Sequence, residues 1–360
     1  MWDRKRRRIS LALMVMAPWS APGTPDLVTR APEEAPGTPA MVRERWGSVR
    51  ENPSEAVLPC VVWVVRNALE SPASWARALA AVERAGCGRM YLQVSGRWDA
   101  LYPSHVFVPP ATPPRGWEDP LAEALAQAHA RGIEVHAWVN AFLAWSAAEP
   151  PPDPHHVWHS HPDWFVTRPG GSMRELTRAE LDRAGLVGEG WFLDPALTPV
   201  RTELRRFVLE LATRYAVDGV HLDYIRYPSG WTPAGGAEHV TRLVSLVRTD
   251  LARVRPGATL SAAVMPVPGI ARDHFGQDWA TWLELGLVDE VAPMVYRDTP
   301  GSIQSAVREW PQAVPRERVW VGVRIDRIGA GELADTETRL AGEGVAGIAL
   351  FSHNLLLEAR

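Results

Sequence analysis

From Pro59 onward, short apolar and β-branched runs alternate with stretches whose apolar positions recur every three to four residues. The runs occupy 61–65, 90–94, 134–139, 219–224, 260–264, 290–295, 319–323 and 347–351, and each predicts a buried strand. Helical periodicity fills the intervals at 75–85, 121–131, 200–215, 238–254, 279–285, 303–310 and 331–341. Strands separated by helices need right-handed crossovers, which make a parallel sheet. Eight such units match an α/β fold of the (β/α)8 TIM-barrel type, whose core needs about 250 residues. An open doubly wound sheet is the alternative. No Gly-rich dinucleotide or phosphate loop follows the first strand, which weighs against it, and no cofactor is expected.

One connection breaks the rhythm. After the third strand, residues 141 to about 197 run through Pro150-Pro151-Pro152 and then a tract rich in His and Trp. Loops that long inside a domain are usually functional or disordered. Following a strand, this one belongs over the catalytic end of a barrel.

The N-terminus has its own pattern. Arg4 to Arg8 form a positive segment, Ile9 to Ala17 an apolar one, and Pro18-Trp19-Ser20-Ala21 a processing site, so 1–22 reads as an export signal. A disordered basic tail on a cytoplasmic protein is the alternative. The apolar run is too short for a transmembrane anchor. Residues 23–58 are rich in Pro, Gly, Thr and Glu and read as a linker, leaving 59–360 as the barrel. The expected location is periplasmic or extracellular.

Composition changes the picture in three places. The formal charge of −4 includes the basic start; without residues 1–22, 33 basic side chains face 41 acidic ones. No basic patch survives, so nucleic acid is not an expected partner. Lys5 is the only lysine, which excludes Schiff-base chemistry on lysine in the barrel. Among 17 Trp, Trp98, Trp138, Trp145, Trp158, Trp164, Trp191 and Trp231 fall at one end of the expected fold. Core packing explains any one of them; flat indole faces also suit the C–H faces of sugar rings.

The densest candidate chemistry lies at the end of the fourth strand. Asp218-Gly219 opens a run that delivers His221, Asp223, Tyr224, Arg226 and Tyr227 to its C-terminal end. Parallel barrels build active sites there. Asp223 as a mere helix cap or partner of Arg226 is the plainer alternative. The other strand ends add Arg97, His136, Trp138, Asn140, Tyr296, Asp298 and His353, with Asp194 and Trp191 before the helix that feeds strand four. Two carboxyl groups, aromatic platforms and hydroxyl binders suit glycoside hydrolysis better than phosphoryl or hydride transfer.

The loop histidines His155, His156, His159 and His161 invite a metal reading, but lack the spacing that puts two imidazoles on one helix face. No metal is expected; a metal-dependent deacetylase or hydrolase is the corresponding alternative. No Gly-x-Ser-x-Gly occurs, so serine acyl transfer has little support. Cys60 and Cys87 fall at the bottoms of neighbouring strands, as a disulfide or as two buried thiols.

The tracts Tyr91-Leu-Gln-Val-Ser95, Trp98-Asp99-Ala100-Leu101-Tyr102-Pro103-Ser104, His136-Ala137-Trp138-Val139-Asn140, His161-Pro162-Asp163-Trp164 and Leu193-Asp194-Pro195 form a set. With Asp218-Gly219-x-His221-x-Asp223-Tyr224 through Tyr227-Pro228, and Ala292-Pro293-Met294-Val295-Tyr296, they resemble the bacterial glycosyl hydrolase-like family 10. The resemblance covers roughly Pro59 to His353. It implies an often exported (β/α)8 barrel and a glycosidase, with Asp223 at the position of the family's catalytic acid. More distantly, α-amylase-type barrels also place an Asp at the end of strand four, but with Arg two residues before it, where this chain has His221. No Glu ends the seventh strand, so a two-glutamate retaining arrangement is unsupported.

The expectation is therefore hydrolysis of O-glycosidic bonds in a cell-envelope or extracellular polysaccharide or oligosaccharide. Asp223 is the first catalytic candidate, with Asp194 and Asp298 competing as its partner. Arg97, His136, Trp138, Asn140, Trp191, His221, Tyr224, Arg226, Tyr296 and His353 are the candidates for substrate contacts. A barrel that binds glycan without cutting it is the alternative.

Overall fold

The computed structural model describes residues 58–186 and 188–358. The expected export signal, and the linker as far as residue 57, lie outside the described residues. Eight parallel strands form one sheet: β1 (Cys60–Val64), β2 (Arg89–Ser95), β3 (Glu134–Asn140), β4 (Gly219–Asp223), β5 (Thr259–Val264), β6 (Glu290–Pro293), β7 (Trp320–Arg324) and β8 (Gly347–Phe351). Their spatial order is β6-β5-β4-β3-β2-β1-β8-β7. Isolated parallel bridges, Val291 to Val319 and Met294 to Gly322, join the two edges. With helices between successive strands, this is the TIM barrel that the alternating pattern predicts.

Strand alternation decides what fills the barrel. Val61, Trp63, Tyr91, Trp138, Ala263, Ala292, Trp320 and Ala349 pack together inside. Glycine makes room for the largest rings: a Cβ on Gly219 would lie 2.8 Å from the His136 ring, and one on Gly347 would lie 2.4 Å from Trp320. The helices bury their apolar faces against the outside of the sheet. In Pro72–Arg84, Ser71 caps the N-terminus by accepting from the Ser74 N–H, Pro72 supplies a preset φ, and Trp75, Ala78, Leu79 and Val82 face inward. Each large side chain buried this way contributes roughly 1.5–3 kcal/mol.

At the bottom of the barrel, Cys60 and Cys87 form a disulfide with Cα atoms 4.9 Å apart. This decides between the two alternatives left open by the sequence.

The long connection after β3 is a folded layer. Leu143–Trp145 pairs antiparallel with Trp191–Phe192, and Thr167–Arg168 with Gly171–Ser172. Short helices span Val157–Ser160 and Arg178–Arg183. Backbone bonds from the Ala141 N–H to the Asp223 carbonyl (2.7 Å) and from the Phe142 N–H to the Tyr224 carbonyl (3.2 Å) fix the layer over the C-terminal ends of β3 and β4. Its tryptophans make its core. Trp158 and Trp191 meet edge to face at 5.1 Å, and the Arg174 guanidinium covers Trp158 at 3.9 Å. Trp158 and Trp191 are buried and spent on packing; Trp145 is buried too but also lines a cavity, and Trp164 is partly exposed and stacks on His161 at 3.9 Å.

Candidate active site

β4 ends at Asp223, and Tyr224 turns the chain off the sheet with φ 48°, a left-handed conformation rare outside glycine. The turn folds the Tyr224 N–H back onto Asp223 Oδ1 at 2.6 Å. The Asp223 carboxyl is buried. Burial pushes its pKa up to about 6, against the opposing pull of the Tyr224 N–H, the Arg226 charge and the Trp138 indole N–H. A carboxyl with such a value keeps its proton up to about pH 6, well above the range of an ordinary carboxyl, which suits proton donation.

Neighbouring strands complete the surroundings. Asn140, the last residue of β3, stands opposite Asp223 in the β3–β4 ladder. Its Nδ2 donates to the Gly96 carbonyl at 3.0 Å and its Oδ1 accepts from Trp138 Nε1 at 2.9 Å, so the amide orientation is set by both partners. Tyr296, beyond β6, has its pKa raised by burial and then by the Asp223 charge, which places its hydroxyl within reach of that carboxyl's field. Tyr224 is raised by the same two causes. Asp223, Asn140, Tyr224 and Tyr296 therefore form one cluster at the C-terminal mouth.

Arg226 lies behind this cluster, buried among three rings: Tyr224 at 5.0 Å, Phe192 at 5.2 Å and Phe275 at 5.5 Å. Its Nη1 reaches Glu189 Oε2 at 3.2 Å and the Tyr227 carbonyl at 3.3 Å. Glu189 comes from the long loop, two residues before its inner strand.

The rim continues over β2. Asp99 is buried and held by Arg66 at 2.7 Å and by the N–H groups of Gly96 and Arg97. Burial alone would raise its pKa, but Arg66 and these bonds hold it below the usual value. Arg97 lies over Trp145 at 5.2 Å and donates to Ser146 Oγ at 2.8 Å. Beside this turn is a cavity of about 440 Å³ whose walls include Asp99, Trp145, Asp153, His155 and prolines from both loops. Glu210, on the helix Thr198–Arg214, fixes the β2 loop that forms one wall, accepting from Tyr102, Ser104 and the His105 N–H.

The remaining sequence candidates are distributed differently. Asp194 Oδ1 accepts from the Ala196 N–H at 2.8 Å and the Tyr227 hydroxyl at 3.2 Å, which ties it to the start of the next helix. Asp298 faces solvent and pairs with Arg327 at 2.9 Å. His136 and His221 are sealed inside the barrel. His221 stacks on Tyr91 at 3.7 Å, accepts from Trp63 Nε1 at 3.0 Å through Nε2 and donates from Nδ1 to Ser261. Burial lowers its pKa strongly and brings that of His136 down to about 3, so both are neutral. Trp138 is likewise fully buried and reaches the site through its N–H alone. His353, just after β8, accepts from the Val65 N–H at 3.2 Å, and burial lowers its pKa to about 4. Trp191 donates to the Leu176 carbonyl inside the loop layer.

The loop histidines serve separate partners. His156 donates to the Arg97 carbonyl at 2.6 Å and caps the helix Val157–Ser160, while His159 donates to the Pro151 carbonyl. Sequence reasoning missed Glu189. Nothing in Glu189-Gly190-Trp191 marks the carboxylate, because only the fold brings it to Arg226.

The sequence model of the family described as Glycosyl hydrolase-like 10 matches residues 61–235 and 229–337. The chain is 24% identical over 304 residues to glycosyl hydrolase DigH of Escherichia coli K12, covering 69% of this chain and 64% of that protein. Glycosyl hydrolase YngK of Bacillus subtilis is 22% identical over 269 residues, covering 63% of this chain and 49% of that protein. The chain thus spans between about half and two thirds of the length of these curated relatives. Among solved structures, the PgaB (BpsB) glycoside hydrolase domain of Bordetella bronchiseptica superimposes with a TM-score of 0.60 at 13% identity, covering 82% of this chain and 94% of that domain. At that identity the likeness is one of fold.

Proposed function

The chain belongs to the glycosyl hydrolase-like 10 family, and on that premise we propose that it hydrolyses O-glycosidic bonds of a cell-envelope or extracellular polysaccharide with Asp223 as proton donor. The observation that carries this reading is the burial of Asp223 at the mouth of β4, with its pKa pushed up to about 6. The proton passes from Asp223 to the glycosidic oxygen as the bond to the anomeric carbon breaks, and water completes the exchange at that carbon. The carboxylate left behind is stabilised by the Tyr224 N–H and the Arg226 charge. Asn140, held by Gly96 and Trp138, and Tyr296 flank the acid and orient sugar hydroxyls.

A second carboxylate takes the proton of the attacking water. Of the two candidates, Asp194 is engaged by Ala196 and Tyr227, whereas Asp298 faces solvent with one ion pair. We assign the role to Asp298. The cavity beside Trp145 and Asp153 has largely apolar walls and a few polar groups, as glycan-binding clefts require. The Cys60–Cys87 disulfide supports an oxidising, extracytoplasmic location. Among the described residues, no helix is long and apolar enough to cross a membrane.

The test is release of new reducing ends from purified cell-envelope glycan strands by the wild type and by Asp223→Asn. Cleavage by the wild type alone supports the assignment. Binding of the strands without cleavage by either protein would replace the hydrolase with a glycan-binding barrel.

A further inference from the structure

Arg226 and Glu189 form an ion pair that no substrate contact explains. Arg226 is walled in by Tyr224, Phe192 and Phe275 at 5.0–5.5 Å, and its Nη1 has two acceptors, Glu189 Oε2 at 3.2 Å and the Tyr227 carbonyl at 3.3 Å. Its side chain is 6% exposed and that of Glu189 16%. Interactions between charges at such depth are weakly screened by solvent.

The two partners sit on different elements. Arg226 follows β4 and is three residues from Asp223; Glu189 sits in the long loop beside the strand Trp191–Phe192. Phe192 both packs on Arg226 and belongs to that loop strand, so the loop delivers the carboxylate and one wall of the cage together.

We propose that Glu189 is a positioning residue that fixes Arg226 and balances its charge beside Asp223. The inference rests on the reading of Asp223 as proton donor only for its consequence on rate. The groups facing Asp223 are few. Arg226 and the Tyr224 N–H favour its charged form, as does the Trp138 N–H from β3. Tyr296 approaches from beyond β6, and Arg324 and Asp326, paired at the end of β7, act on Tyr296. Glu189 acts on Tyr224 and Arg226, where burial alone would lower the Arg226 pKa and Glu189 is the largest opposing influence. Without Glu189, a full uncompensated positive charge would stand next to the acid.

A charge-balance role has a signature that a merely structural one lacks, since removing each partner acts in the opposite direction. Glu189→Gln keeps shape and leaves Arg226 uncompensated, so the Asp223 pKa falls. Arg226→Gln leaves Glu189 uncompensated, so the Asp223 pKa rises. The double variant Glu189→Gln/Arg226→Gln returns close to the wild-type value. The measurement is the Asp223 carboxyl titration by 13C NMR on the full chain, assigned with Asp223→Asn, and needs no substrate.

An unchanged or raised Asp223 pKa in Glu189→Gln overturns the proposal. The isosteric Glu189→Gln decides it alone if Arg226→Gln fails to fold. Parallel assays on envelope glycan strands separate the two claims. A shifted titration in a protein whose wild type cleaves nothing keeps the charge balance and removes the hydrolase. Cleavage with an unshifted titration does the reverse.

Discussion

Asn140 and Asp223 face each other at the ends of β3 and β4, and the Ala141 N–H binds the Asp223 carbonyl at 2.7 Å. The acid is thus fixed through its backbone by the start of the long loop, and its neighbour Asn140 is fixed through Trp138 and Gly96.

The burial of Asp223 opposes stability at neutral pH. Its pKa rises from 3.8 in a free carboxyl to about 6 in the fold, so the native state holds a proton between those values that the unfolded chain has released. The stabilisation is complete below the lower value and is lost as pH rises through about 6. Asp223→Asn removes this dependence. Its stability gain over the wild type should grow from near zero at acid pH to about 3 kcal/mol at pH 8, read by chemical denaturation across pH. A gain independent of pH would mean that Asp223 is not perturbed.

Buried histidines give the opposite slope. His136 and His353 hold pKa values of about 3 and about 4, below the 6.5 of a free imidazole. The unfolded chain gains protons first as pH falls below 6.5, so stability declines from there toward the folded values. Among the described residues, neither ring nitrogen of His136 has a hydrogen-bond partner, so His136→Phe removes no bond seen there. That variant should lose about 2 kcal/mol less than the wild type on going from pH 8 to pH 5. An identical acid decline in both proteins contradicts the assignment.

The disulfide closes a segment with a sequence separation of 27. Chain-entropy arguments put its contribution at about 3.5 kcal/mol. Cys60→Ser/Cys87→Ser should therefore unfold at lower denaturant while keeping full activity, because the bond lies at the end of the barrel opposite Asp223. A variant that loses activity at temperatures where it is still folded would contradict that separation of roles.

The two partner candidates should separate by phenotype. Asp298→Asn leaves the fold intact, because its carboxylate makes one exposed ion pair, and lowers kcat by 10²-fold or more, roughly what loss of a positioned base costs. Asp194→Ala should instead lower stability by about 1 kcal/mol, since it takes the acceptor from the Ala196 N–H and the Tyr227 hydroxyl. Full kcat in Asp298→Asn returns the base role to another residue.

Local pattern made most of the fold legible. All eight strands stand within two residues of the runs in the sequence, because each is a buried apolar run bounded by turns or helices. The helix Pro268–Phe275 was not expected, although Pro268 at its first turn and Gly276 beyond its end, with φ 73°, mark it. The candidate site was legible where it follows one strand, as at Asp223-Tyr224 after β4. It was opaque where tertiary packing decides: the strand period puts His136 and His221 on the inward face with Asn140 and Asp223, but depth in the barrel separates the two pairs. Of the loop tryptophans that suggest sugar platforms, Trp158 and Trp191 pack on each other while Trp145 lines a cavity, a division that composition does not encode. Glu189 reaches Arg226 only through the pairing of Leu143–Trp145 with Trp191–Phe192.

The most direct test compares wild type and Asp223→Asn on two glycosides of the same sugar: the natural glycan strand, whose leaving oxygen needs a proton, and an activated aryl glycoside, whose leaving group does not. If Asp223 is the proton donor, the variant loses roughly 10²- to 10⁴-fold in kcat on the glycan strand and little on the aryl glycoside, and only the wild type loses rate as pH rises through about 6. Equal losses on both substrates, or wild-type rates on the glycan strand, would contradict the account.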